Sequence, residues 1–202
     1  MESQRLVWIY AGVALVAGVG LASAMAPSDA MAGGPACRRV RCLTKPRVLL
    51  LGDSFALGLA VPMAKMAAED KVPFFTAAKA GTTVAHWAPL VAAGLEKLSA
   101  GVAPTMVLVS LGTNDMKAPG PLRERPVLAK MVHDVERSGA VLVWVAPPSL
   151  PFPDKGFRSM IADTSVEIYP SEALVLQRGP DGVHPTATGY AGWAGAIWRW
   201  LR

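Results

Sequence analysis

Short apolar runs recur along the chain from residue 47, each followed by a polar cluster or a helix-friendly stretch. The first, Val48–Leu51, stops at Gly52-Asp53-Ser54. The next are VPFFTAA (72–78), TMVLVSLG (105–112) and AVLVWVAPP (140–148), and SVEIYPS (165–171) reads as a shorter fifth. Runs that are apolar throughout belong to strands buried on both faces, as in parallel sheets. Strands alternating with helices place those helices on both sides of the sheet. The spacing predicts helices over Ala56–Glu69, Leu90–Ser99, Pro126–Ser138 and Thr186–Leu201. In the last, Tyr190, Trp193, Ile197 and Trp200 recur at steps of three and four, which makes one apolar face. Residues 147–158 hold four prolines and a glycine and read as a loop. The expected fold class is α/β, with a parallel sheet of about five strands between two helical layers.

A reaction centre in such a sheet lies beyond the carboxyl ends of the strands. Three of those ends lead into small polar clusters: Gly52-Asp53-Ser54, Ala80-Gly81-Thr82-Thr83 and Gly112-Thr113-Asn114-Asp115. A fourth, Asp181–Thr186 (DGVHPT), precedes the last helix. Ser54 is therefore either a helix cap or a nucleophile. A serine hydroxyl is a weak nucleophile at its free pKa and needs a base, for which His184 is the candidate. Asp181, three residues earlier, can accept the other imidazole N–H and fix the tautomer. Acyl transfer also needs donors aimed at the developing oxyanion. The backbone N–H groups of Ser54 and Gly81 and the side-chain amide of Asn114 can supply them, and glycine at 81 allows close approach. Asp53 and Asp115 read as loop-holding carboxylates. His86 reads as either cleft-lining or structural, His133 as surface or structural, and Trp87 as the tryptophan nearest the site. No residue cluster suits a metal and no phosphate-binding loop is present, so no cofactor is expected.

These blocks resemble those of the SGNH hydrolases, also called GDSL-type esterases and lipases. GDSF stands for the first block, Gly81 for the second, GTND for the third and DGVHPT for the fourth, over roughly residues 47–202. The resemblance implies a flavodoxin-like three-layer α/β/α fold and a serine esterase. It makes Ser54 the nucleophile, His184 the base and Asp181 its partner, with Ser54, Gly81 and Asn114 as the oxyanion hole. Two positions depart from the usual pattern. Phe55 replaces the common leucine, and Lys79 stands where the family usually has asparagine, two residues before its glycine. The expected substrate is a carboxylic ester with a short acyl group, such as an O-acetylated envelope glycan. Rival readings are a lipase or thioesterase for longer acyl chains, an O-acetyltransferase, and a non-catalytic carbohydrate-binding protein on the same fold.

The N-terminal region sets the expected compartment. Leu6–Ala26 carries no charge and ends in small residues, so residues 1–26 read as a cleaved signal peptide or an uncleaved membrane anchor. Either places the domain, residues 47–202, outside the cytoplasm. Residues 27–46 are rich in Ala, Gly, Pro and Arg and read as a linker. Cys37 and Cys42 suggest a small-loop disulfide in an exported chain. Arg38, Arg39, Arg41, Lys45 and Arg47 concentrate much of the formal net charge of +5 just after the leader. They read as a solvated linker or as attraction to an anionic surface. No aromatic residues interleave with them, which argues against nucleic acid as a partner. With 52% hydrophobic and only 17% charged residues, the chain has the material for a real core and is not a disordered polymer.

Overall fold

The computed structural model describes residues 7–8, 40–117 and 125–202. Five parallel strands form the body of a sheet: β2 (Val48–Gly52), β3 (Phe74–Ala78), β4 (Met106–Ser110), β5 (Val141–Val145) and β6 (Glu167–Tyr169). Their order is β3-β2-β4-β5-β6, so the chain reverses its direction of progress between β2 and β4. That is the switch point at which the doubly-wound architecture opens a crevice. A two-residue strand, β1 (Val7–Trp8), lies antiparallel against Ala77–Ala78 on the β3 edge. It falls inside the segment read as a leader. The rest of residues 1–26, together with 27–39 of the linker, lies outside the described residues. Cys42, in a 3-10 turn at Val40–Cys42, is disulfide-bonded, and Cys37 lies outside the described residues.

Successive residues of a strand face opposite sides of a sheet. Leu49, Leu51, Ala77, Val107, Val109, Leu142 and Trp144 face one helical layer. That layer holds α2 (Val84–Ala92), α3 (Leu95–Leu98), α5 (Arg125–Arg137) and α6 (Phe157–Ala162). Val48, Leu50, Phe74, Met106, Leu108, Val143 and Val145 face the other, formed by α1 (Ser54–Glu69) and α7 (Ala187–Leu201). Val48 to Leu51 are all fully buried. Each leucine there contributes about 1.5–3 kcal/mol relative to exposure. The unbroken apolar runs therefore follow from burial on both faces.

The helices depart from expectation in four places. First, α1 begins at Ser54, and its cap is Asp53, whose Oδ1 accepts from the Phe55 N–H at 2.9 Å. Second, the helix expected over 90–99 is two. α2 starts at Val84, and Gly94 at φ 121° separates it from α3. The first N–H of α2 is met by Asp115 Oδ1 at 3.0 Å, from a different strand end, which no local signal announces. Third and fourth, α4 (Thr113–Lys117) opens in the polar cluster that ends the third strand, and α6 begins at the end of the stretch 147–158 read as a loop. At five and six residues they are too short to show a helical period.

Candidate active site

Register brings the polar clusters together. Gly52 pairs with Ala78 on one side and Ser110 on the other, so β2, β3 and β4 end level. Ser54, the loop through Gly81 and the turn into α4 then start from one edge.

His184 reaches this edge from the other side of the chain. Residues 177–186 fold back on themselves: Gly179 N–H donates to the His184 carbonyl at 2.8 Å and Thr186 N–H to the Gln177 carbonyl at 2.9 Å. Arg178 ties this loop down, its guanidinium donating to the carbonyls of Val183 and Ser149. Thr186 then caps α7, its hydroxyl accepting from the Gly189 N–H at 3.1 Å. Because α7 packs on α1, the loop before α7 lies against the start of α1, where Ser54 sits.

The result is a continuous line of polar atoms. Ser54 Oγ is 2.8 Å from His184 Nε2, and His184 Nδ1 is 2.6 Å from Asp181 Oδ2. Asp181 Oδ1 accepts from the backbone N–H groups of Val183 and His184, both at 2.9 Å. The imidazole bond, seconded by those two N–H bonds, holds the Asp181 carboxyl down at about 2. With Asp181 ionised, Nδ1 carries the proton and Nε2 is free to accept from the serine hydroxyl. Phe55 packs its ring 5.5 Å from the imidazole and edge-on to Trp193, a fully buried anchor of α7. Phe55 thus supports the histidine from below.

Gly81 has φ 75°, a conformation that side-chain-bearing residues rarely adopt. Asn114 Nδ2 donates to the carbonyl of Thr82 at 2.9 Å, so the amide is fixed against the loop that carries Gly81. Trp87 is fully buried and hydrogen-bonds Thr82 through its indole N–H at 2.9 Å. It braces the Gly81 loop from the core instead of lining a cleft. His86 stands edge-on to Trp87, its pKa lowered by burial and by Lys79. His133 is exposed on α5, away from these groups.

Asp53 is wholly buried beside Ser54. Burial raises its carboxyl from 3.8 to about 7. Arg178, which ties the His184 loop, and Tyr190, which stacks on Trp193, belonged to no catalytic motif in the sequence. Their contributions arise from loop closure and helix packing, which only the folded chain shows.

No family model and no curated protein matches the sequence. Solved structures do match. One of TesA is 18% identical with a TM-score of 0.62, over 77% of this chain and 98% of that one. A GDSL-like lipase from Bacteroides thetaiotaomicron is 17% identical with a TM-score of 0.59, over 80% and 92%. An acetyl xylan esterase, AlAXEase, is 14% identical with a TM-score of 0.61, over 77% and 100%. With this likeness over most of both chains, and with its five parallel strands between two helical layers, the chain has the fold of the GDSL-type (SGNH) hydrolases.

Proposed function

We propose that this chain is a serine hydrolase of carboxylic esters, with Ser54 as nucleophile, His184 as general base and Asp181 as its orienting partner. The observation that carries this reading is the unbroken line Ser54 Oγ–His184 Nε2–Nδ1–Asp181 Oδ2, at 2.8 and 2.6 Å. His184 takes the hydroxyl proton as Ser54 Oγ attacks the ester carbonyl. The tetrahedral oxyanion is met by the N–H groups of Ser54 and Gly81 and by the second N–H of Asn114, the first being occupied by Thr82. His184 then returns the proton to the leaving alkoxide. In the second half, water gives its proton to His184 and its oxygen to the acyl carbon, and Ser54 leaves with that proton.

The expected substrate is a short acyl ester, an O-acetyl group on an envelope glycan outside the cytoplasm. Two features support it: the apolar leader and the fold shared with an acetyl xylan esterase. A longer acyl chain is the second reading. It rests on a largely apolar cleft of about 270 Å³ beyond the carboxyl end of β5, lined by Ala146, Pro147, Ile161, Ala162 and Ile168 together with Arg158, Ser159 and Glu172.

The test is hydrolysis of p-nitrophenyl esters from acetate to decanoate, with Ser54→Ala alongside. The reading expects turnover that peaks at acetate and falls by at least about 10³-fold in the variant. A peak at long chains selects the second reading. Native chain that neither turns over an ester nor labels at Ser54 with a fluorophosphonate refutes both.

A further inference from the structure

The charges around the candidate site are unevenly matched. Asp181 is engaged by His184, and Glu172 by Arg158. Asp154 accepts from the backbone N–H groups of Gly156, Phe157 and Arg158. Asp53 and Asp115 are buried. Three lysines remain, each on a different strand-end segment: Lys79 after β3, Lys117 at the end of α4, and Lys155 between β5 and α6. No carboxylate among the described residues pairs with any of them.

Their placement is specific. The Lys79 N–H donates to the Gly52 carbonyl at 3.0 Å, which sets Lys79 beside the residues leading into Ser54. Lys155 Nζ reaches the Lys117 carbonyl at 3.3 Å, while Lys117 Nζ lies 4.6 Å from the centre of the Phe152 ring. The end of α4 and the loop before α6 thus hold two exposed ammonium groups in one neighbourhood, with no carboxylate paired to either among the described residues. Lys117 ends the short helix that follows β4, and β4 ends level with β2, the strand that leads into Ser54. Like charges gathered without acidic partners around a crevice raise the local concentration of anions.

We infer that the ester's carrier is anionic: Lys79, Lys117 and Lys155 receive a glycan bearing carboxylate or phosphodiester groups close to the scissile ester. This rests on the candidate site described above, and it adds the charge of the substrate to that reading. A carrier of this kind presents repeated negative charges while its ester stays neutral. The lysines then select the polymer and the line of Ser54, His184 and Asp181 acts on the acyl group.

The test is a binding measurement and needs no turnover. The full chain with Ser54→Ala is titrated with a galacturonic-acid oligomer, a glycerol-phosphate oligomer and a neutral xylose oligomer of equal length. The inference expects at least one anionic oligomer to bind about tenfold tighter than xylose in low salt, with most of the gain lost near 150 mM salt. Whichever anion wins identifies the carrier's charged group. Lys117→Gln/Lys155→Gln removes the preference, while Lys65→Gln/Lys97→Gln leaves it. Those control lysines are exposed on α1 and α3, remote from the strand ends, and their loss changes the net charge equally. Equal affinity for all three oligomers, or equal loss in both double variants, overturns the inference. Binding that persists in a chain whose native form hydrolyses no ester would refute the proposed function and leave the anionic ligand standing.

Discussion

Asp53 makes folding stability fall as pH rises. Its carboxyl is wholly buried, and one oxygen accepts from the Phe55 N–H. The other, Oδ2, has no hydrogen-bond partner among the described residues. Burial outweighs that N–H bond and the attraction of His184 and Lys117, so the pKa rises from 3.8 to about 7. A pKa raised in the folded state means that the folded chain holds the proton more tightly than the unfolded one. The stability from this group is therefore complete below about pH 4 and lost as pH rises through about 7. A rise of that size corresponds to about 4 kcal/mol. Asp53→Asn keeps the cap on α1, since asparagine caps as well as aspartate, and has no charge to bury. Its amide places N–H donors where Oδ2 stood, a cost of about 1–3 kcal/mol that does not vary with pH. The variant should therefore be the less stable protein near pH 4 and the more stable one near pH 8. Urea midpoints of both proteins across that range read the crossing directly. Asp181 does not interfere: its pKa is lowered to about 2, so its contribution is present above pH 4 and lost only as pH falls toward 2. Parallel stability profiles for native chain and variant would refute the argument that Asp53 is buried as a charge above neutrality.

Two further substitutions probe the packing and the oxyanion donors. Gly58→Ala places a methyl group 2.0 Å from the Tyr190 ring, which is itself stacked on Trp193. The clash costs about 1–3 kcal/mol and outweighs alanine's helical advantage of about 1 kcal/mol, so the urea midpoint falls; a rise would mean that α7 yields easily. Asn114→Ala removes one of the proposed oxyanion donors and should lower kcat by about 10²–10³-fold with little change in KM; an equal rise in KM would make Asn114 a substrate-binding group instead.

The sheet was the most legible part of the chain. Val48–Leu51 and Met106–Val109 read as buried strands because burial on both faces leaves no room for polar residues. The early start of α2 was hidden, because the group that caps Val84 is Asp115, thirty-one positions away. Trp87 looked like a site residue by proximity to Gly81, yet its ring lies in the core and touches the loop only through one hydrogen bond. The blocks around Ser54, Gly81, Asn114 and His184 were legible as a set because the proposed acyl transfer would restrict their residue types. The lysine rim was not, since single lysines in separate loops carry no signal until folding gathers them.

The order of assembly along the chain has a consequence for synthesis. Ser54 opens α1, and His184 sits just before α7, one hundred and thirty positions later. The two meet only when α7 has docked on α1. A nascent chain extends from its N-terminus, so the sheet through β5 can form while Ser54 still has no imidazole beside it. Such an intermediate carries an ordinary, unreactive serine. On the proposed function, ester chemistry would switch on only with the last helix, and a product cut short before Ala187 loses both the packing that brings His184 to Ser54 and the buried Trp193, Ile197 and Trp198 of one core.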